Sequence, residues 1–252
     1  MEDQSGHKIA RRRMLGMVVG GTVALLTGCG LVKNYRPFRY RLTVEVDTPQ
    51  GLRTGSSVIE VTAGEVGTTL GGASAEARGE AVAVDIASDQ TLFVLLRSEA
   101  SSAWAAGIMS GVTPKPNDLS IPREDRFAAH IDAVRANHKL NTVPRWFPPR
   151  ISVDKPVTGY PFMVQFGDLR DPKTVKQVDP DNLAGSFGPG VTLRRITVQL
   201  TDDPVTTGIE RRLPWLPNQN LPLVPHPRDV LMKDWPFGAS ILGHDFSNGI
   251  FR

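Results

Sequence analysis

The feature that most constrains this chain is a stretch without a charged residue, which runs from Met14 to Val32. It follows a polar head that ends in Arg11, Arg12 and Arg13. A positive head before an apolar stretch is typical of an export signal, so this part of the chain is not expected to belong to the folded domain. We therefore expect the folded domain to begin after the stretch and to lie outside the cytoplasm.

The end of this stretch contains Leu26, Thr27, Gly28 and Cys29 in succession. The four residues resemble the lipobox of bacterial lipoproteins, in which an aliphatic residue and two small residues precede the cysteine that receives the lipid. The resemblance implies that residues 1–28 are a signal peptide and that Cys29 anchors the mature protein to membrane lipid. Because the chain has one cysteine, the rest of it cannot form an intramolecular disulfide or a thiolate metal site.

An alternative is that the uncharged stretch stays in place as a single-pass transmembrane helix, because it just reaches the length of a span. Its glycines, among them Gly16, Gly20 and Gly21, weaken it as a helix. Both interpretations put the arginines inside and the domain on the periplasmic side. The residues from Arg12 also resemble a twin-arginine export motif, although the following residues do not complete it. Gly30, rather than an aspartate, after the cysteine favours the outer membrane over the inner one.

The net charge of the chain is +3, from 29 lysines and arginines against 26 aspartates and glutamates. Most of this excess lies in the N-terminal head, and the rest of the chain is nearly neutral. Electrostatic binding of nucleic acid needs clustered cations. We therefore expect no nucleic-acid partner.

The region after the tether of residues 29–39 contains several strand patterns. Apolar and polar residues alternate strictly over residues 40–47, which predicts a half-buried strand. A hairpin with a long connection is expected over residues 40–62, and a mobile glycine-rich loop over residues 64–79. Residues 91–96 are apolar throughout, which predicts a strand buried on both faces. The remaining strands are predicted at residues 57–61, 80–86, 162–166 and 192–201.

Helices are predicted at residues 100–109 and 124–140, with a shorter one at residues 179–187. The elements do not alternate regularly between strand and helix. This arrangement favours an α+β domain over residues 40–212, with a mainly antiparallel sheet of five or six strands and two main helices.

Residues 213–252 form a proline-rich C-terminal segment in which no apolar periodicity is visible. We expect an extended arm that either packs over the domain or reaches toward a partner. Aromatic side chains on such an arm are typical of interface anchors, and packing within the chain is the alternative. The aromatic residues are Trp215, Trp235, Phe237, Phe246 and Phe251.

The search for chemical motifs predicts no catalytic residue, metal site or cofactor. There is no phosphate-binding loop, dinucleotide fingerprint, nucleophile elbow or zinc motif. The aspartates at 168, 171, 179 and 181 could offer oxygen ligands to calcium, but the pattern of a calcium loop is absent. Asp171 and Asp179 each precede a proline, which favours turn and helix-start devices. Ser240, His244 and Asp245 are close in sequence, and a polar tail is the favoured interpretation over a catalytic triad.

The exported region also resembles a family of envelope proteins from alphaproteobacteria. The resemblance rests on five segments: residues 40–46, 54–61, 80–85, 187–191 and 203–210. It implies a single recurring domain and no particular chemistry.

These observations give three hypotheses of function. The first is a lipid-anchored, non-enzymatic envelope protein that binds another envelope protein. The second is a periplasmic domain that binds a small ligand or a glycan between residues 64–79 and Trp146–Phe147. The third is a hydrolase whose site is dispersed over His130, His138, His226, His244 and nearby carboxylates.

Overall fold

The computed structural model describes residues 32–66, 72–149, 155–218 and 221–250. Within these ranges the chain forms an α+β fold with mainly antiparallel sheets, which confirms the predicted fold class. Residues 1–28, which were predicted to be a signal peptide, Cys29 and Phe251 lie outside the described residues. The strands are β1 (Val32–Asn34), β2 (Phe38–Thr48), β3 (Gly51–Val66), β4 (Gly72–Glu80), β5 (Val82–Ala87), β6 (Gln90–Val94), β7 (Asn141–Thr142), β8 (Trp146–Phe147), β9 (Val157–Thr158), β10 (Met163–Phe166), β11 (Val175–Val178), β12 (Thr192–Leu200) and β13 (Ser247–Asn248). The helices are α1 (Trp104–Val112), α2 (Arg126–Ala136) and α3 (Ala184–Phe187).

Two sheets organise these elements. The larger sheet has the order β13-β4-β3-β2-β12-β7, with β1 added beside β3. The smaller sheet has the order β11-β10-β6-β5, and β8 pairs with β9 separately. The predicted sheet of five or six strands corresponds roughly to the larger sheet.

Strand β2 confirms the alternation seen in the sequence. Tyr40, Leu42, Val44 and Val46 are all 0% exposed, and the residues between them are half-buried on the opposite face. The Tyr40 hydroxyl donates to the Ala105 carbonyl over 2.7 Å, which connects the sheet to α1, and burial raises the pKa of this phenol above its ordinary range. A buried tyrosine needs such a partner because an unpaired hydroxyl would be costly there.

The connection between β2 and β3 is short, so the predicted long connection is wrong. Thr48 pairs directly with Gly51, leaving Pro49 and Gln50 as the turn. The Thr48 hydroxyl donates to the Gly51 carbonyl over 2.7 Å and accepts from the Gln50 N–H. Gly51 has a φ of 109°, a conformation that side chains disfavour.

Residues 64–79, predicted as a mobile loop, instead contribute to a hairpin. Residues 60–66 of β3 pair with residues 72–78 of β4 in antiparallel register. Residues 67–71 lie outside the described part of the chain. The small side chains that suggested a loop allow close packing here, since Ala75 and Ala77 lie against the main core. Their low strand propensity is overridden by pairing with a long neighbouring strand.

Strand β6 and its continuation are buried on both faces, as predicted. Leu92, Val94 and Leu96 belong to the main core, where they face the larger sheet and α1. Phe93 and Leu95 belong to a second core on the opposite side. All five side chains are at most 5% exposed.

The two sheets approach closely where β3 crosses β5. A Cβ on Gly55 would lie 2.2 Å from the Ala83 carbonyl oxygen, which is closer than any side chain allows. Glycine at this position therefore permits the close backbone approach.

The helices differ from their predicted bounds. Helix α1 runs from Trp104 to Val112 rather than over residues 100–109. Helix α2 ends at Ala136, short of the predicted residue 140, because Asn141 and Thr142 pair with the edge of β12 and the chain must turn before them. Helix α3 is a single turn, and the predicted start at residue 179 is wrong. The Asp179 carboxylate accepts from the Asp181 N–H and so forms a turn.

Glu80 connects the hairpin to the C-terminal part of the fold. Its side chain accepts hydrogen bonds from the backbone N–H groups of Gly208 and Ile209, each over 3.0 Å, and the residue is 2% exposed. Burial raises the pKa of this carboxyl above its ordinary value of 4.5, and the two N–H groups offset part of the effect.

We expect Glu80→Gln to lower the free energy of unfolding by about 1–3 kcal/mol, because the amide has only one oxygen to offer two N–H donors. A raised pKa means that the folded state binds this proton more tightly than the unfolded state. The stability that Glu80 contributes is therefore largest below pH 4.5 and falls as the pH rises through the raised pKa. The penalty should be larger near pH 4 than near pH 7. Urea unfolding at both pH values measures it.

Glu76→Gln is the matched control, since Glu76 lies on the same strand and is exposed. Equal effects of the two substitutions would contradict the role of Glu80.

Candidate functional site

The C-terminal segment, described at residues 213–218 and 221–250, is part of the folded core rather than a free arm. Leu213, Leu216, Leu223, Ile241 and Phe246 are each at most 4% exposed. They pack on the second core, against the side of β6 that faces away from the larger sheet. The proline-rich segment therefore follows the first of the two expected courses and packs over the domain.

Backbone hydrogen bonds fix the segment in register. The Ala81 N–H donates to the Phe246 carbonyl over 2.7 Å, and the Leu96 N–H donates to the Asp245 carbonyl over 2.9 Å. Strand β13 then pairs with Glu80 and Gly79 at the edge of the larger sheet. The end of the chain thus bridges both sheets.

The aromatic residues predicted as interface anchors divide into two groups. Phe246 is 0% exposed and contacts the rings of Phe93, Phe166 and Trp215 at centroid distances of 5.7 to 6.2 Å. This position corrects the prediction for Phe246, because a side chain in the core cannot contact a partner. Trp215 is half-buried in the same cluster, with its indole N–H donating to the Leu169 carbonyl.

Phe237 and Trp235 lie at the surface end of the segment. Phe237 is half-buried with its ring 5.2 Å from that of Phe162. The Trp235 ring stacks on His226 at 3.9 Å and 20°, and its N–H donates to the Val230 carbonyl over 3.0 Å. Of the predicted anchors within the described residues, Trp235 and Phe237 therefore lie on an exposed loop, where both side chains are half-buried.

This exposed loop, called the C-terminal loop below, spans residues 224–238. Its ends are held together, since the Val224 N–H donates to the Gly238 carbonyl over 3.1 Å. A Cβ on Gly238 would lie 2.6 Å from Val224 and 2.7 Å from Val175, so glycine allows the closure. A surface loop with closed ends and its own internal packing is an Ω-type loop, a class that is frequently functional.

The outer part of the C-terminal loop carries exposed apolar side chains. Leu231 is 68% exposed and Val230 is 41% exposed. The Asp234 N–H donates to the Leu231 carbonyl over 2.8 Å, which keeps this part in a tight turn. Sequence reasoning missed both residues, because they stand in a proline-rich stretch without apolar periodicity.

Asp245 is buried and does not belong to a catalytic triad. Its carboxylate accepts from the Leu242 N–H over 2.8 Å and lies 3.6 Å from the Arg97 guanidinium and 3.7 Å from the His244 ring. Burial raises the pKa of this carboxyl, and the hydrogen bond and Arg97 offset part of the effect. The Ser240 hydroxyl donates to the Phe237 carbonyl rather than to a histidine. The group holds the end of the chain in place.

The histidines of the hydrolase hypothesis are dispersed. The ring of His130 contacts the Ser110 carbonyl at 3.2 Å, and burial lowers its pKa. The ring of His226 contacts the Ala239 carbonyl at 2.9 Å. His138 lies in a groove that three arginines and two carboxylates also line, and the His244 ring lies 3.7 Å from the Asp245 carboxylate. The described residues contain no group of three or more side chains that could hold a metal ion.

The ligand-binding hypothesis put a pocket between residues 64–79 and Trp146–Phe147, but these two regions lie beside different grooves. Residues 75–77 of the hairpin line a groove of about 390 Å³ together with His244 and Asp245. Arg145, next to Trp146, lines another groove, of about 300 Å³, with Tyr160 and Asp181. The predicted pocket between residues 64–79 and Trp146–Phe147 is therefore not one of these grooves.

Three of the aspartates considered as calcium ligands hold turns, and the fourth forms an ion pair. Asp168, Asp171 and Asp179 each accept a hydrogen bond from the backbone N–H two residues later. Asp181 accepts three hydrogen bonds from Arg145 over 2.7 to 3.1 Å, and these lower the pKa of its carboxyl. The contacts of Asp171 and Asp179 agree with their interpretation as turn devices.

Comparisons with protein-family models, with curated proteins and with solved structures find no match for this chain. No helix within the described ranges is both long and apolar enough to cross a bilayer.

We expect Phe246→Ala to lower the free energy of unfolding by about 3–5 kcal/mol, because it leaves a cavity among Phe93, Phe166 and Trp215. Trp235→Ala is the control and should cost much less, since Trp235 is half-buried on the surface loop, with its ring stacked on His226. Urea unfolding measures both. If the two variants were equally stable, the C-terminal segment would not be part of the core.

Proposed function

We propose that this protein is a lipid-anchored envelope protein that binds another envelope protein through its C-terminal loop and catalyses no reaction. The anchor proposal rests on the positive head, the uncharged stretch and the residues around Cys29. It places the folded domain on the periplasmic side, with the outer membrane favoured and a single-pass inner-membrane anchor as the alternative.

The observation that carries the interaction proposal is the C-terminal loop itself. Its closed ends hold Val230, Leu231 and Trp235 in one place, where Leu231 is 68% exposed and Val230 is 41% exposed. Exposing Leu231 in a fixed turn loses the hydrophobic stabilisation that burial would give, about 25 cal/mol for each Å². A partner that covers the loop would recover it at little cost in entropy, because the loop is already ordered.

The anchor proposal can be tested by mass spectrometry of the N-terminal peptide of the protein isolated from membranes. We expect a peptide that starts at Cys29 and carries lipid, and we expect Cys29→Ser to leave an unlipidated and uncleaved chain. Recovery of an intact N-terminus from the unsubstituted protein would contradict the lipidated anchor and favour the transmembrane alternative.

The interaction proposal can be tested with a photo-cross-linking residue at position 231 in living cells. We expect one discrete adduct with a second protein, which Trp235→Ala together with Val230→Ser should reduce at least tenfold, corresponding to about 1.4 kcal/mol or more of binding free energy. The matched control is the same cross-linker at Leu140, which is 55% exposed elsewhere on the domain.

Point variants are preferable to truncation before residue 213, which would remove buried Leu213, Leu216 and Phe246 and unfold the second core. An adduct of equal strength from both positions, or none from position 231, would contradict the interaction proposal.

A glycan-binding function is the second candidate, and exposed Trp146 favours it. The ring is 55% exposed beside the groove of Arg145, Tyr160 and Asp181. The Arg145 guanidinium lies 4.3 Å from the centroid of this ring, so it already covers part of one face. Binding of soluble glycan fragments that Trp146→Ala abolishes would favour this candidate.

A further inference from the structure

Another groove, of about 400 Å³, lies where the start of β2, the end of α2 and the end of β12 meet. Four of its lining side chains can carry positive charge: Arg36, Arg39, Arg135 and His138. They come from two separate parts of the sequence, residues 36–39 and 135–138, so no motif indicated them. Its floor includes buried Phe38.

The cationic side chains of this groove have few partners of their own. Within the described ranges, the Arg36 side chain makes no hydrogen bond or ion pair. Arg135 reaches its nearest carboxylate, that of Asp132, only at 3.9 Å. Arg39 lies 4.0 Å from Glu60 and donates to the Asp203 carbonyl over 3.0 Å. Distances near 4 Å are at the limit of an ion pair, so several guanidinium N–H groups remain available.

Two carboxylates also line the groove and limit its positive charge. Glu60 lies 4.0 Å from both Arg39 and Arg78, so Arg78 shares in neutralising it from outside the groove. Asp202 is exposed at the end of β12. Three arginines against two carboxylates leave the lining of the groove with a net positive charge.

Arginine presents a planar set of N–H donors that matches the oxygens of a phosphate group. We propose that this groove binds the phosphate group of an anionic molecule, with Arg36 and Arg135 as its main donors. The phosphate could belong to a phospholipid headgroup or to a free anion.

The position of Arg36 favours the headgroup. Cys29 stands three residues before Val32 and seven before Arg36. An extended chain covers about 3.5 Å per residue, so Arg36 lies within about 25 Å of an anchored Cys29. The headgroup version therefore rests on the proposed function, whereas the phosphate site itself does not.

The test uses unlipidated protein that begins at Gly30. Residues 31–252 form one compact unit, and every buried side chain in the described ranges lies between Phe38 and Ser247, so this protein retains the core. Inorganic phosphate is titrated while NMR shifts are followed. Co-sedimentation is measured with vesicles of phosphatidylglycerol and phosphatidylcholine, and with phosphatidylcholine alone.

We expect phosphate to shift the signals of Arg36, Arg135 and His138, and we expect phosphatidylglycerol to increase sedimentation. Arg36→Gln and Arg135→Gln should each weaken binding about fivefold, the effect of removing one cation near an anionic surface. Arg53→Gln is the matched control, because Arg53 is an exposed arginine beside the turn between β2 and β3. It should change binding little.

Phosphate shifts with a preference for phosphatidylglycerol would support a headgroup site, and phosphate shifts without it would support a site for a soluble anion. No shift, or equal weakening by Arg53→Gln, would overturn the proposal. Because this protein lacks Cys29, a negative result leaves the test of lipidation unaffected.

Discussion

The fold depends on a strand that is buried on both faces. The apolar run through β6 places Leu92 and Val94 toward one side and Phe93 and Leu95 toward the other. Each side must be covered, since every large apolar side chain left in water would forgo about 1.5–3 kcal/mol. The larger sheet and α1 cover the first side. The second side is covered by the C-terminal segment, and this requirement explains why a proline-rich sequence has a fixed path.

Proline suits that path because the segment forms few regular backbone ladders. It crosses the smaller sheet in turns and short helical pieces and contributes isolated apolar side chains such as Leu213, Ile241 and Phe246. Proline also lowers the conformational entropy that the unfolded segment would lose on folding. A segment of this kind can be rigid and still leave part of itself, the C-terminal loop, in contact with water.

Buried carboxylates hold the backbone just before this segment and near its end. Exposed ion pairs contribute little to the stability of the fold. Glu80 holds the backbone at Gly208 and Ile209, and Asp245 holds the turn at Leu242 next to Arg97. Exposed pairs such as Arg194 with Asp47 lie on the outer face of the larger sheet, where solvent screens them. Glu80 and Asp245 are buried at the points where the C-terminal part contacts the sheets. Their hydrogen bonds therefore define the geometry of that part.

The sequence by itself determined the elements whose burial repeats at short range. Two patterns indicate which strand faces are buried: the alternation over residues 40–47 and the apolar run over residues 91–96. Both strands and the α+β class were therefore predictable. Tertiary structure decided what depends on distant partners. The end of α2, the burial of Phe246 and the arginine groove arise from residues far apart in the chain, and β4 forms because its small residues pair with the long strand β3. Pairing and packing with those partners outweigh the weak local preferences of glycine, alanine and proline. The local sequence does not indicate which partners these are.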